Sequence, residues 1–565
     1  MSAMEVDCSP GIFDCQFDNT GDQCANFNGE LPEPNTLTWI VPISAIFMCA
    51  NAFGIGANDV ANAWGSSVGS GAITMRKACL IAGFMNILGA VTLGYGVSDT
   101  IQKGVAEVTS SRCWACGYCN SKMTLYAVGM FSALIGSSAF NLLATFGSLP
   151  VSGTHAIVGG VVGMTMAAVS TACVDWSMAG LGGIIISWVL SPLLAGLIGA
   201  ALYVGTDRLI MRSTSPRARA LTFMPWFVAL SSFLMCFLVL IKSKVTHKAL
   251  PIWAHFLLSL VLGLIGWCGG WYYRWRYVEG FLPSQQDPIF LETLPGGRKD
   301  VKNKRIEEAE DERSIEVPSS SNIEKDVADI GDLPSKVEGI SSELQPVDDG
   351  IEEADMQGGE RKMDTKSSLE TESTTVNKDI QPVDVELGSK RSSEVKDATY
   401  VFKYLIVFNA ALESFAHGSN DTGNSTAPFS AVLQTHEEGI HECSKARTPE
   451  WVLLVAGVCV ALGVNTLGYR VMEVVGKKIT IINFHQGFCM EFASTAAVVV
   501  ATLFQMPVST THCQIGAVTA VGLVSNGYKN VKFSMLGQIV LSWIITLPFA
   551  GLTAAAFLSM IGTGL

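Results

Sequence analysis

Gly56-Ala57-Asn58-Asp59-Val60-Ala61-Asn62-Ala63 returns later in the chain as Gly418-Ser419-Asn420-Asp421-Thr422-Gly423-Asn424-Ser425, keeping the pattern N-D-x-x-N. A second phrase follows in each half: Pro150-Val151-Ser152-Gly153-Thr154-His155 returns as Pro507-Val508-Ser509-Thr510-Thr511-His512. All four copies lie in or beside long apolar stretches, where a carboxylate or imidazole is costly without a partner or a task. A duplicated polar cluster inside a duplicated apolar frame implies one site shared between two membrane-embedded halves.

The frame repeats too. Gly89-Ala90-Val91-Thr92-Leu93-Gly94-Tyr95 resembles Gly463-Val464-Asn465-Thr466-Leu467-Gly468-Tyr469, and Ser187-Trp188 with Pro192 resembles Ser542-Trp543 with Pro548. Of the 565 residues, 49% are hydrophobic and 15% charged, with mean hydropathy +0.36, which excludes an ordinary soluble domain. Apolar stretches lie at 38–57, 77–97, 124–146, 153–172, 179–205, 221–241, 250–273, 400–417, 451–471, 486–506, 508–525 and 534–562. A span needs ~20 residues to cross a ~30 Å hydrocarbon core, so the expected fold is an all-α polytopic membrane protein of about 12 transmembrane spans.

On that count the first span corresponds to the eighth, seven places later. An odd shift inserts the two copies in opposite directions, so the expectation is two inverted-topology repeats with broken or re-entrant helices. The expected divisions are an extracellular tail (1–37), a first transmembrane repeat (38–205), two extra spans (206–277), a disordered cytoplasmic loop (278–398) and a second repeat (399–565). The net charge of −13 belongs to that loop: 278–398 holds 30 acidic and 15 basic residues, leaving 20 and 22 for the rest. Its scattered apolar residues cannot offset the entropy of ordering it.

Arg76, Lys77, Arg208, Arg212, Arg217, Arg219, Arg274, Arg276, Lys477, Lys478, Lys529 and Lys532 all fall on one side of the expected spans. The positive-inside rule makes that side cytoplasmic and both termini external. Lys242, Lys244 and Lys248 run against the rule, since they land outside. Cys8, Cys15, Cys24, Cys113, Cys116 and Cys119 also fall outside, an even set that reads as disulfides tying the tail to the loop before the third span. A zinc site on the C-x-x-C-x-x-C run is the lesser alternative, having no nearby histidine.

The motifs carry the chemistry. Glycines crowd Asn58, Asp59 and Asn62, favouring an unwound segment whose free backbone is tolerated at membrane depth only beside a cavity or ligand. Carbonyl, amide and carboxylate oxygens suit a hard cation, so Asn58, Asp59, Asn62, Asn420, Asp421 and Asn424 are candidate cation ligands. The bland alternative, a helix-capping Asn-Asp pair, is weakened by its recurrence at identical spacing. Ser152, Gly153, Thr154, Ser509, Thr510 and Thr511 follow a proline at an expected helix start, where unpaired amides and hydroxyls suit an oxyanion. Neither motif contains Lys or Arg, so a bound anion would be balanced by co-bound cations, which gives a physical basis for coupled transport.

His155 and His512 read first as structural caps and second as proton-sensitive groups. Glu413, His417, Gln486 and Glu491 are further polar residues in apolar stretches. Glu491 and Ser494 are candidate sodium ligands, with Ser137 and Ser138 at the matching point of the first half; helix packing through small residues explains the serines equally well. The histidines lack a nucleophile, base and orienting group in a common pattern, so an enzyme is not expected.

Taken together, the four motifs resemble the PiT family of inorganic phosphate transporters over nearly all of 38–273 and 400–562. The resemblance implies cation-coupled phosphate uptake, with sodium in animal and fungal relatives and protons in some bacterial and plant ones. It also implies an inverted-repeat fold with phosphate between the halves. Asp59, Asn62, Asp421, Asn424, Ser152, Thr154, Ser509 and Thr511 carry over as site positions, and Glu491 stands where the family commonly has a glutamate. Asn86 departs from the acid of many eukaryotic relatives, which bears on cation coordination in the first half. The expected function is therefore a sodium-coupled phosphate symporter, multi-pass in the plasma membrane, working by alternating access. It would need no cofactor beyond co-transported sodium and no nucleic acid, with a homodimer as its one expected protein partner. The alternatives are a proton-coupled symporter and a membrane phosphate receptor that does not transport.

Overall fold

The structure, a computed structural model, describes residues 38–283 and 382–562, apart from residue 179 and short stretches within 96–121, 244–248, 439–446 and 504–507. The expectations for the 1–37 tail, Cys119 and most of the 278–398 loop lie outside the described residues. Their regular elements are helices, and the single β-pairing among the described residues is an isolated antiparallel bridge between Ala106 and Val174.

The first half runs α1 (Ile40–Ile55), a π-helical turn (Gly56–Val60), the short α2 (Gly65–Gly69), α3 (Met75–Leu93), α4 (Met123–Phe146), α5 (Gly153–Ala168) and α6 (Leu181–Thr206). Next come α7 (Pro216–Lys242) and α8 (Ile252–Tyr273). The second half runs α9 (Pro382–Glu438), α10 (Glu450–Thr466), α11 (Tyr469–Glu473), α12 (Phe484–Leu503), α13 (Thr510–Asn526) and α14 (Phe533–Gly562).

By length and composition, 7 helices among the described residues can cross a membrane, and a pair bent by 52° (Glu450–Thr466 with Tyr469–Lys478) makes up to 8. The other expected spans are helical as well. Among them α5 is an apolar helix of 16 residues, α9 carries Glu413, His417 and Asp421, and α12 carries Glu491.

Burial follows position. Met123–Phe146 is the most enclosed spanning helix and Ile252–Phe281 the most open, exposing Leu257, Leu264 and Ile265. Trp271, Trp275 and Tyr277 are exposed beside Arg274 and Arg276, the aromatic and basic mixture of a membrane–water interface. The two halves belong to one compact unit and share its largest core cluster, in which Trp64 and Ala82 mix with Phe402, Val464 and Phe488.

Contacts between the halves are reciprocal. A Cβ on Gly56 would lie 2.0 Å from the Val460 carbonyl oxygen, and one on Gly418 would lie 2.1 Å from that of Asn86. Asn86 and Val460 stand three residues before Gly89 and Gly463, the matching glycines of the repeated phrase. The matching helices α3 and α10 pack antiparallel: Ser98 Oγ lies 2.6 Å from Thr448 Oγ1 at one end, and Asn465 Nδ2 donates to the Cys79 carbonyl (3.2 Å) at the other. Glycine permits this because only its backbone can touch a neighbouring backbone.

Three expectations are corrected. The span expected at 400–417 continues as helix α9 to Glu438 and holds the second N-D-x-x-N motif inside it, whereas the first half leaves α-helical geometry at its motif, in the π-turn. The helix α9 starts at Pro382, within the segment expected to be disordered to 398. Cys113 pairs with Cys173 (S–S 2.03 Å), a residue outside the expected set of six, while Cys116 is also disulfide-bonded. The Ala106–Val174 bridge brings the loop before α4 against the turn after α5, which explains the pairing.

Candidate functional site

Asn58 and Asp59 sit on the π-turn that follows α1, and both are buried. A π-turn places side chains out of α-helical register, and such turns recur at functional sites. The Asn58 amide donates to Thr145 Oγ1 (3.1 Å) and the Leu149 carbonyl (2.9 Å), and its Oδ1 accepts from the Val151 amide (2.9 Å). With three partners it braces the segment leading into α5 rather than standing open as a ligand.

Asp59 is placed differently. Its Oδ2 accepts the Gly153 amide at the start of α5 (2.9 Å), and its Oδ1 accepts Thr511 Oγ1 from the other half (3.2 Å). Helices α5 and α13 both open with a serine cap: Ser152 Oγ accepts from the His155 amide (3.4 Å) and Ser509 Oγ from the His512 amide (3.3 Å). Pro150 lies just before the Ser152 cap, at the start of α5. Both helix starts, with their orphan amides and partial positive charge, come to the motif residues.

The two halves cross over at this point. Asn62 Nδ2 donates to Thr511 Oγ1 (3.0 Å), and Asn424 Nδ2 donates to Thr154 Oγ1 (3.0 Å). Each asparagine of one N-D-x-x-N motif thus holds a threonine of the other half's second motif. Thr510 Oγ1 donates to Asp421 Oδ2 (3.2 Å). The Oδ1 atoms of Asn62 and Asn424 are buried without a hydrogen-bond partner among the described residues. Buried amide oxygens are nearly always satisfied, and an orphaned pair of acceptors marks room for a cation or a donor.

A second polar group lies alongside. Ser66 Oγ donates to Glu491 Oε1, and Ser494 Oγ donates to Glu413 Oε1 (2.6 Å). On α9, His417 Nδ1 is 2.8 Å from Asp421 Oδ2 and His417 Nε2 is 3.8 Å from Glu413 Oε1. In the first half Asn51 occupies the place of Glu413, its Oδ1 accepting from Ser137 Oγ (2.9 Å) and Asn141 Nδ2 (2.9 Å). His155 and His512 meet with ring centroids 4.4 Å apart, each packed on a tryptophan, Trp188 at 3.8 Å and Trp543 at 3.7 Å. That packing agrees with a structural role at the seam between the halves.

The structure also supplies a basic group the motifs lack. Lys242 Nζ, at the end of α7, donates to Asn420 Oδ1. Its sequence signal was its breach of the positive-inside pattern. Thr145, Asn141 and Ser66 were missed because a lone hydroxyl or amide in an apolar helix has no pattern to distinguish it.

Residues 55–554 match the phosphate transporter family. The chain belongs to that family. It is 26% identical to the phosphate-repressible phosphate permease pho-4 of Neurospora crassa, across 93% of this chain and 97% of that protein. It is 29% identical to sodium-dependent phosphate transporter 1-B of Danio rerio, across 88% and 91%. A solved sodium-dependent phosphate transporter superposes with a TM-score of 0.66 at 28% identity, across 93% of this chain and 100% of that one. Membership makes this family member a multi-pass membrane transporter rather than an enzyme.

Proposed function

We propose that this family member is a sodium-coupled inorganic phosphate symporter of the plasma membrane. Phosphate is held between the starts of α5 and α13, on the Ser152–Thr154 and Ser509–Thr511 amides and hydroxyls, with Asp59, Asn62, Asp421 and Asn424 around it. Sodium takes the oxygen-rich positions of the same motifs, with Asp59, Asp421, Glu491 and Ser494 as acidic and hydroxyl ligands. Asn58 and Asn420 position the motifs. The halves are inverted repeats, and access alternates as one moves against the other. The 38–205 and 399–565 divisions are its two repeats, α7 and α8 standing outside them.

The observation that carries this reading is the pair of crossed hydrogen bonds, Asn62 to Thr511 and Asn424 to Thr154, beside two Oδ1 atoms that have no partner among the described residues. The antiparallel packing of α3 on α10 supports the inversion. The sodium-dependent relatives support the coupling ion. A second reading, coupling to protons, is favoured by one observation, His417 buried between Glu413 and Asp421.

Sealed proteoliposomes containing the purified chain decide between these readings. Radiolabelled phosphate should accumulate with an inward sodium gradient and stop when choline replaces sodium at fixed pH. Full uptake in choline with an inward proton gradient would favour proton coupling, and no accumulation under any gradient would favour a receptor.

A further inference from the structure

The matching asparagines of the two motifs do not have matching partners. Asn58 Oδ1 accepts a neutral backbone amide, that of Val151 (2.9 Å). Asn420 Oδ1 accepts the ammonium of Lys242, one residue before Asp421. Lys242 closes α7, one of the two helices outside the repeat, so the first half has no equivalent. Its backbone is fixed where it stands: the Tyr95 hydroxyl donates to the Lys242 carbonyl (3.2 Å). Asn420 is 8% exposed and Asp421 3% exposed, so an ammonium delivered there enters an environment with little water.

A buried carboxylate needs a positive partner, and removing one member of such a pair leaves the other uncompensated. Among the described residues Asp59 has amide and hydroxyl donors and no basic neighbour other than His417 of the second half, whose nearer acids are Asp421 and Glu413. The carboxylate of the first half therefore depends on a diffusible cation, and that of the second half has one built in.

From this asymmetry we infer that Lys242 is a tethered counter-cation of the second-half motif, standing in at Asn420 for one sodium ion beyond any that Asp421 helps to bind. This rests on the sodium-symport reading above. It sets the coupling ratio of this chain: replacing Lys242 by a neutral residue vacates a cation position that sodium then fills. A lysine that merely anchors the end of α7 would alter stability and leave ion counts alone.

The test is equilibrium binding of radioactive sodium to the purified full-length protein with inorganic phosphate present, comparing wild type with Lys242→Met and Lys242→Arg. Lys242→Met should bind about one more sodium per chain than wild type, because the Asn420 position loses the positive charge that Lys242 delivers to it, while Lys242→Arg should keep the wild-type count. Equal counts in wild type and Lys242→Met overturn the inference. Binding is read on solubilised protein, so it still answers if Lys242→Met cannot complete a transport cycle. Counting phosphate and sodium uptake by wild type in proteoliposomes tests the symport reading separately, since its failure there leaves the binding difference standing. Lys242→Met protein unable to hold its fold would be replaced by Lys242→Gln, judged by the same count.

Discussion

Thr511 shows how much one side chain does at this site. Its hydroxyl lies 3.2 Å from Asp59 Oδ1, 3.0 Å from Asn62 Nδ2 and 3.2 Å from the Val151 carbonyl, linking three points of the first half to the second. Thr511→Val keeps the shape and removes these bonds. A hydrogen bond to a charged group contributes about 1.5–3 kcal/mol, so phosphate half-saturation should rise about tenfold or more, measured as concentration-dependent uptake. Asp59→Asn and Asp421→Asn go further, because each removes a charge while keeping the shape. Uptake should fall to background with surface abundance unchanged, and wild-type uptake in both would remove these residues from the site. The sequence alone carried this far, since recurrence at fixed spacing separates a site from a single polar accident. It could not separate Asn58 from Asp59. Both look like ligands in a string, and only the three bonds of Asn58 to Thr145, Leu149 and Val151 reveal a brace.

Helices are positioned here by where they lack side chains. The α1–α10 crossing depends on Gly56, whose added Cβ would fall 2.0 Å from the Val460 carbonyl oxygen, a backbone atom that cannot rotate away. Gly56→Ala should therefore separate the two helices at the cost of about 1–3 kcal/mol. That appears as a lower midpoint in thermal denaturation followed by size exclusion in detergent. Gly205→Ala is the control: nothing lies within 4 Å of its Cβ position, and alanine suits a helix interior better by up to about 1 kcal/mol. Its midpoint should hold or rise. If both glycines respond alike, close packing is not what Gly56 provides. Apolar runs made α1, α3, α4, α6, α7, α8 and α14 legible as spanning helices from composition alone. The same signal cut the helix of the second motif short, because the apolar run at 400–417 stops where the polar residues begin while α9 continues to Glu438. A glycine marks either a loosened backbone or a close approach. Gly418 is the second kind, its Cβ position 2.1 Å from the Asn86 carbonyl oxygen. The Cys113–Cys173 bridge was equally hidden, since pairing depends on how the chain returns after α5 and not on cysteine spacing.

At the scale of the whole molecule, direction is the property that the proposed alternating mechanism requires of two similar halves. Antiparallel packing of α3 on α10 means that equivalent positions of the two halves reach opposite ends of the bundle. Lys77 near the start of α3 and Glu450 at the start of α10 are both exposed, at corresponding points of the repeated frame. The positive-inside rule predicts the Lys77 end in the cytoplasm and Glu450 outside. Single cysteines at these two places, Lys77→Cys and Glu450→Cys, should therefore differ towards a membrane-impermeant thiol reagent on intact cells. The exposed Cys268 is replaced by serine in both to remove its background. Glu450→Cys should label without permeabilisation and Lys77→Cys only after it. Labelling of both from the same side would mean that the halves insert alike. The crossed Asn62–Thr511 and Asn424–Thr154 bonds would then lose their meaning as two views of one site, because two such halves cannot exchange inward and outward roles by symmetry.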